Sequence, residues 1–310
     1  MTILRSRPFL TVAIVAGVWI AASFTSRGFG SYGHLRYLVE LAAVIGLVAA
    51  GQTFVVIAGG IDLSVAAIVT VSAVSLPLLS WQADPTGLTA VLAVLALTTT
   101  IGLVNGLGVA LLRVHPMIMT LAMATFLQGL LIIIAGGSAV TAENPLVRWL
   151  GNARPAGIPA GVLLWVAVSV IVLAAMHATS FGARLFAMGA NPLAATLSGV
   201  PVASTTLAVY GISGFTSGLA GVLVLGMNGQ GYVGIGDPYL LASIAAVVLG
   251  GTSILGGLGT YAGTIPGAIL LVTITALITV VNASPGWRSI LFGSLILGLL
   301  LLSGREQARR

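Results

Sequence analysis

Apolar residues run through this chain in long blocks, and polar residues fall mainly between them. A helix crossing the hydrocarbon core of a bilayer needs ~20 mostly apolar residues. Ten segments fit or approach that requirement: Pro8–Ser26, Tyr37–Ala58, Ile61–Ser80, Gly87–Leu112, Pro116–Gly136, Ile158–Ala178, Ala203–Gly226, Leu240–Gly256, Thr260–Val281 and Arg288–Ser303. The eighth is short and rich in glycine. The pattern predicts an all-α, polytopic integral membrane protein with about ten transmembrane helices, in a single transmembrane domain over residues 1–310. Arg5 and Arg7 precede the apolar run from Phe9 to Phe24 in the manner of a signal peptide. A cleaved signal has an apolar core of about 7–15 residues. This run is longer and is read as a retained first span.

Composition supports the same class. Of 310 residues, 58% are hydrophobic and 6% charged, whereas a soluble domain carries roughly 25% charged residues. So little polar surface cannot coat a globule in water. The 41 glycines would weaken a soluble helical protein, but in a membrane they let helices approach closely. The formal net charge of +6 comes from arginines that are scattered or terminal, with no basic patch. It fits anchoring at the membrane surface and argues against nucleic acid. Cysteine is absent, which excludes disulfides, thiol catalysis and Cys-ligated metals.

An even number of spans places both termini on one side. Arg5 and Arg7 at one end and Arg305, Arg309 and Arg310 at the other make that side cytoplasmic. Arg113 and Arg184 then also fall inside. Gly137–Gly157 faces outward, and its Asn144-Pro145 and Arg154-Pro155 pairs predict a structured turn region. Thr179–Val202 is cytoplasmic. Within it, Asn191 can cap a helix, Pro192 suits the first helical position, and Gly199 can close the turn in the left-handed conformation. A short capped helix there is a docking element, with Ala194 and Ala195 small enough to let it lie close in a groove.

The chemistry available inside the spans is sparse. Asp62 lies in Gly59-Gly60-Ile61-Asp62-Leu63-Ser64, between two apolar spans with almost no loop. An ionised Asp at a helix centre costs about 2.5–3.5 kcal/mol on insertion scales. Two readings stand open: a cap accepting from the amides of Ser64 or Val65, docking the third span, or a contact for a transported solute or proton. Gln52 and Asn105 have the same choice between hydrogen bonds among helices and a solute path. Glu40 sits near a span end and is read as interfacial. Gly211, Gly214, Gly218 and Gly221 share one helix face, Gly259, Gly263 and Gly267 are four apart, and Gly102 and Gly106 form a further pair. Val55-Val56-Ile57-Ala58-Gly59-Gly60 is echoed by Val247-Val248-Leu249-Gly250-Gly251. Paired interruptions in two halves often mark a transport site. His34, His115 and His177 lie at separate span ends, so no metal site is expected. No nucleophile–base pair is readable, and no phosphate-binding loop exists in a chain without lysine.

Four blocks in order carry a family resemblance. They are Gly51 through Val65; Asn105-Gly106 with Arg113-Val114-His115-Pro116 and Thr120-Leu121; Gly189-Ala190-Asn191-Pro192 with Ala194-Ala195 and Ser198-Gly199-Val200; and Ile244 through Ser253 with Gly256-Gly257 and Gly259-Thr260. Over about Glu40 to Leu302 the chain resembles the permease subunits of ribose-, xylose-, arabinose- and galactose-type ATP-binding-cassette importers. It departs from that pattern at Ala183, where a second basic residue is usual beside Arg184, and at Ala66, where glycine is common.

The resemblance implies a non-catalytic subunit of the bacterial inner membrane that conducts a monosaccharide by alternating access. Its implied partners are a separate ATPase that holds ATP and Mg, a second permease chain, and a periplasmic sugar-binding protein. It implies that Arg184, Gly189, Asn191, Ala194, Ala195 and Gly199 belong to the loop that couples to the ATPase. A permease for autoinducer-2, nucleosides or branched-chain amino acids, and an ion-coupled secondary transporter centred on Asp62, are the alternative readings.

Overall fold

The computed structural model describes residues 7–25, 28–79, 84, 86–136, 138–280, 284, 286–287, 289–294 and 297–298. The helices in order are α1 (Arg7–Thr25), α2 (Tyr32–Ile57), α3 (Val65–Leu79), α4 (Leu88–Ala110), α5 (Pro116–Ala135), α6 (Pro145–Asn152), α7 (Ala160–His177), α8 (Ser180–Ala190), α9 (Pro192–Leu197), α10 (Val202–Asn228), α11 (Pro238–Leu249) and α12 (Tyr261–Val280). Two short strands, β1 (Val140–Thr141) and β2 (Gln230–Gly231), pair antiparallel with Val140 opposite Gly231.

Six helices, α2, α4, α5, α7, α10 and α12, are long and apolar enough to cross a membrane. Three shorter apolar helices, Thr11–Phe24 within α1, α3 and α11, fall where the first, third and eighth spans were expected. Half of the tenth expected span, Arg288–Ser303, lies outside the described residues. Two of the expected spans are shorter than the apolar pattern suggests, each for a physical reason. The third starts at Val65 instead of Ile61, because the Asp62 carboxylate takes the Ser64 amide and holds residues 61–64 out of the helix. The eighth stops at Leu249 instead of Gly256, because Gly251 turns left-handed at φ 88°.

The bundle is organised around α2 and α10. In α2, 94% of the most apolar stretch is buried, against 22% in α5, although α5 is the more hydropathic. Glycine makes the central contact. The backbone of Tyr210 on α10 lies where a side chain on Gly102 of α4 would sit, and the Thr98 carbonyl on α4 likewise excludes a side chain at Gly214. Gly221 extends the same stripe against Val69 and Ser72 of α3, and the Ser72 hydroxyl donates to the Gly218 carbonyl at 2.8 Å. The stripe Gly263–Gly267 seats α12 on Gly250 and Ala246 of the α11 region.

One end of the bundle carries β1, β2 and α6. The Asn144 side chain accepts from the Val147 amide at 3.1 Å and Pro145 opens α6, so the expected turn region contains a capped helix. Glu40 is almost fully buried there, with Arg154 3.8 Å away. The opposite end carries α8, α9 and the α11–α12 connection. There α8, which the apolar pattern does not separate from the loop of residues 179–202, buries Leu185 and Met188, and Phe181 packs on Phe54 of α2 at 5.8 Å between ring centroids.

Candidate functional site

Both helix breaks are built by the same local chemistry. At the end of α2 the Gly59 amide donates to Val56 O and the Gly60 amide to Val55 O, each at 2.9 Å, with Gly59 left-handed at φ 85°. At the end of α11 the Gly251 amide donates to Val248 O at 2.9 Å and the Thr252 amide to Val247 O at 3.2 Å. The two sequences that echo one another thus adopt the same helix stop, and the left-handed glycine satisfies carbonyls that a straight helix end leaves free.

After the first break comes a buried polar cluster. Asp62 is fully buried. Its Oδ1 accepts from the Ser64 amide at 2.9 Å and from Ser64 Oγ at 2.6 Å, and its Oδ2 accepts from Ser213 Oγ of α10 at 2.7 Å. Asn105 of α4 donates from Nδ2 to Ser64 Oγ at 2.9 Å. The Leu63 amide donates to Thr120 Oγ1 of α5 at 3.0 Å. One short segment is therefore tied to α4, α5 and α10. Asn105 Oδ1 and the Tyr210 hydroxyl are buried with no hydrogen-bond partner among the described residues. Tyr210 Oη lies 2.8 Å from where a Cβ on Gly60 would stand. Gln52 is buried in α2 with neither amide atom partnered, and it does not join the cluster by any hydrogen bond. The structure thus brings Asp62 and Asn105 together through Ser64 and leaves Gln52 apart. The Ser64 amide was an expected donor to Asp62, whereas the roles of the Ser64 hydroxyl and of Ser213 were missed in the sequence. Ser64 lay within the quoted block, but Ser213 carries no signal that sets it apart from the other hydroxyls of α10.

The loop of residues 179–202 meets both breaks. The Gly257 amide donates to the carbonyl of Ile57, the last residue of α2, at 2.9 Å. Gly189, near the end of α8, fits over this bond: a Cβ there would overlap the Ile57 carbonyl and stand 2.7 Å from the Gly257 nitrogen. On Gly256 a Cβ would lie 2.9 Å from Gly189 O and 3.0 Å from Gly59 Cα. Three backbones meet here with no side chain between them.

Beyond Ala190 the chain turns into α9. Asn191 accepts from the Ala194 amide at 3.0 Å, Pro192 is the first helical residue, and Gly199 is left-handed at φ 80°. Ala195 turns inward and is buried, while Ala194 and Arg184 are exposed. The outer face of α9 instead presents Leu193 and Leu197, 71% and 81% exposed. Their i, i+4 spacing was readable in the sequence as one helix face.

Span-length apolar helices, a carboxylate buried at an interrupted helix and a loop locked to two such interruptions fit a multi-pass membrane protein of the transport class. The family model described as "Branched-chain amino acid transport system / permease component" matches residues 35–300, and the chain belongs to that family of permease components. The chain is similar to the ribose import permease protein RbsC of Escherichia coli (strain K12), at 33% identity over 92% of this chain and 90% of that one. It is similar to the L-arabinose transport system permease protein AraH of the same organism, at 32% over 96% and 90%. It is also similar to the galactose/methyl galactoside import permease protein MglC of Haemophilus influenzae, at 34% over 71% and 68%.

Proposed function

We propose that this chain is the permease subunit of an ATP-binding-cassette importer in the bacterial inner membrane, conducting a monosaccharide delivered by a periplasmic binding protein. Residues 1–310 act as one transmembrane domain with about ten spans and both termini in the cytoplasm. A second permease chain completes the pore. ATP and Mg belong to a separate ATPase subunit, and this chain performs no chemistry.

The observation that carries this reading is the joint at Gly189. Leu193 and Leu197 offer an exposed apolar face on a rigid, capped helix, with Arg184 exposed on the preceding one. An ATPase pair that closes beneath this face pushes α8 and α9. Gly189 passes that movement to Ile57 and Gly257 through backbone contact alone. One push therefore reaches both helix breaks, which suits alternating access. The sugar-named relatives support the solute class. The description of the family model favours a second reading, a branched-chain amino acid as the solute.

The test is reconstitution of the chain with its ATPase and binding protein in proteoliposomes. Sugar uptake should require ATP and loaded binding protein. The double variant Leu193→Asp, Leu197→Asp should insert normally and lose the ATPase on copurification. Uptake that persists without ATP and collapses with an ionophore overturns the reading. Uptake of leucine in place of ribose favours the second solute. Orientation is tested by an impermeant thiol reagent on intact cells. Asn144→Cys should label and a cysteine at position 306 should not, and the reverse pattern overturns it.

A further inference from the structure

The interiors of the six span-length helices turn their polar side chains inward: Gln52, Thr98, Asn105, Ser169, Ser213 and Thr264 are all buried. Hydroxyls on outer faces, such as Thr100 and Thr125, donate to the carbonyl four residues earlier, which hides their polarity. Gln128 is different. It lies within α5, is exposed, and has no hydrogen-bond partner among the described residues. Among those residues it is the one exposed amide or charged side chain in the interior of these helices.

The space beside it is open. A Cβ on Gly129 would meet nothing within 4 Å. Thr125 shares its face at i, i−3, and the exposed Leu121 and Ile132 share it at i−7 and i+4, so the face is mixed. The outward face of α7, by contrast, is Leu163, Val166, Val170 and Ile171, with nothing polar among them. That face suits hydrocarbon, where an amide with two donors and an acceptor would go unsatisfied. Polar side chains at membrane depth face protein or a water-filled cavity.

We propose that the Thr125–Gln128–Gly129 face of α5 lines the water-filled path through the membrane, and that the Gln128 amide is a contact for an uncharged, hydroxyl-bearing solute. The inference rests on the proposed function and assigns a wall and a contact within it. A neutral group that both donates and accepts suits hydroxyls, which do the same. The wall is also connected to the moving part. Thr120, on α5, takes the Leu63 amide at 3.0 Å, and Pro116 at the start of α5 lies 3.4 Å from where a Cβ on Gly60 would stand. Displacement of the first break therefore displaces α5.

The chain contains no cysteine, so accessibility can be read directly. Gln128→Cys, Ile134→Cys on the far side of the same helix and Val166→Cys on α7 are each placed in the complete complex with ATPase and binding protein in proteoliposomes. A hydrophilic, charged thiol reagent should modify Gln128→Cys at least about tenfold faster than the other two, since ionised reagents do not reach hydrocarbon. Saturating ribose with loaded binding protein and ATP should change that rate. Equal rates at the three positions, or an unreactive Gln128→Cys, place the residue against lipid or a packed helix and overturn the proposal. A second variant separates contact from access. Gln128→Leu should keep ATPase binding and stimulation while uptake falls several-fold, and unchanged uptake overturns the contact. If the wild-type complex does not import sugar, the proposed function fails, whereas the labelling still reports whether the face meets water.

Discussion

The two helix breaks have the same glycine stop and differ in what holds the chain afterwards. After the first, seven residues from Ala58 to Ser64 reach the next helix, and a carboxylate fixes them to α10 while Asn105 of α4 and Thr120 of α5 bind the same segment. After the second, eleven residues from Gly250 to Thr260 separate α11 from α12, and Ile254 stands where Asp62 stands in the echo. There the fixing contacts are mainly backbone to backbone, the Ser253 amide to Leu258 O at 2.9 Å and the Gly257 amide to Ile57 O at 2.9 Å, with one side-chain bond at the far end between His177 Nε2 and Thr260 Oγ1 at 3.2 Å. The left-handed glycines Gly256, Gly257 and Gly259 make room for this path. One half is locked by a side-chain cluster and the other by close approach of the main chain. The first break should therefore be sensitive to chemistry and the second to volume.

The largest expected effect is at Asp62. Asp62→Leu removes the acceptor for the Ser64 amide, the Ser64 hydroxyl and the Ser213 hydroxyl, all of them buried. A buried donor without a partner costs roughly 1–3 kcal/mol, so three together exceed what one junction can lose and still pack. The variant should insert but fail to assemble with its ATPase, as read by copurification. Asp62→Asn keeps an oxygen for the Ser64 donors, while Ser213 must reverse and accept from the new amide. It should assemble and retain much of the uptake. An assembled but inactive Asn variant breaks the comparison, because the charge itself would then be needed for transport.

Next in size is Gly189, where all three backbones meet. Gly189→Ala places a Cβ on the Ile57 carbonyl and 2.7 Å from the Gly257 nitrogen, and neither obstacle is a flexible side chain. The bond between the two breaks must lengthen. The expected result is an inserted, ATPase-bound protein whose ATP hydrolysis is poorly coupled to uptake, measured as solute moved per ATP. Gly59→Ala is the control. Its Cβ would meet nothing within 4 Å, so the penalty is confined to its φ of 85°, roughly 1–2 kcal/mol. It should lower the thermal midpoint of the purified protein and leave the coupling ratio near wild type. Equal loss of coupling in both would mean that any strain near the break uncouples, and that Gly189 is no special joint.

The contrast also marks what a sequence can disclose. The spans were legible because a bilayer demands ~20 apolar residues whatever the fold. Asn191, Pro192 and Gly199 were legible because capping depends on neighbours in the chain. The Asp62 segment was legible as an anomaly, and its bond to the Ser64 amide is local. Its bond to Ser213 lies 151 residues away and left no local trace. The same holds for Gly189, whose contacts come from α2 and from the α11–α12 connection. Ala194 and Ala195 show the limit at short range: their size suggested close approach of α9 to a partner, but rotation of the helix buries Ala195 in its own bundle and turns Leu193 and Leu197 outward. α8 was missed because its apolar residues cover a single face of eleven residues, too few to read as a span.

The smallest expected effect tests the second break for hidden polar bonding. Thr252 is 2% exposed, and its Oγ1 has no hydrogen-bond partner among the described residues. It fills the space against Gly259, where a Cβ would stand 2.5 Å from that oxygen. Thr252→Val keeps the shape and removes an unsatisfied hydroxyl, a change that is near neutral or slightly stabilising, within about 1 kcal/mol. The matched change at the first break, Ser64→Ala, removes a hydroxyl that donates to Asp62 and accepts from Asn105. It should lower the thermal midpoint clearly while Thr252→Val leaves it level or raises it. If the two variants fall by the same amount, the second break also depends on a side-chain hydrogen bond. The distinction between a chemically locked half and a sterically locked half would then not hold.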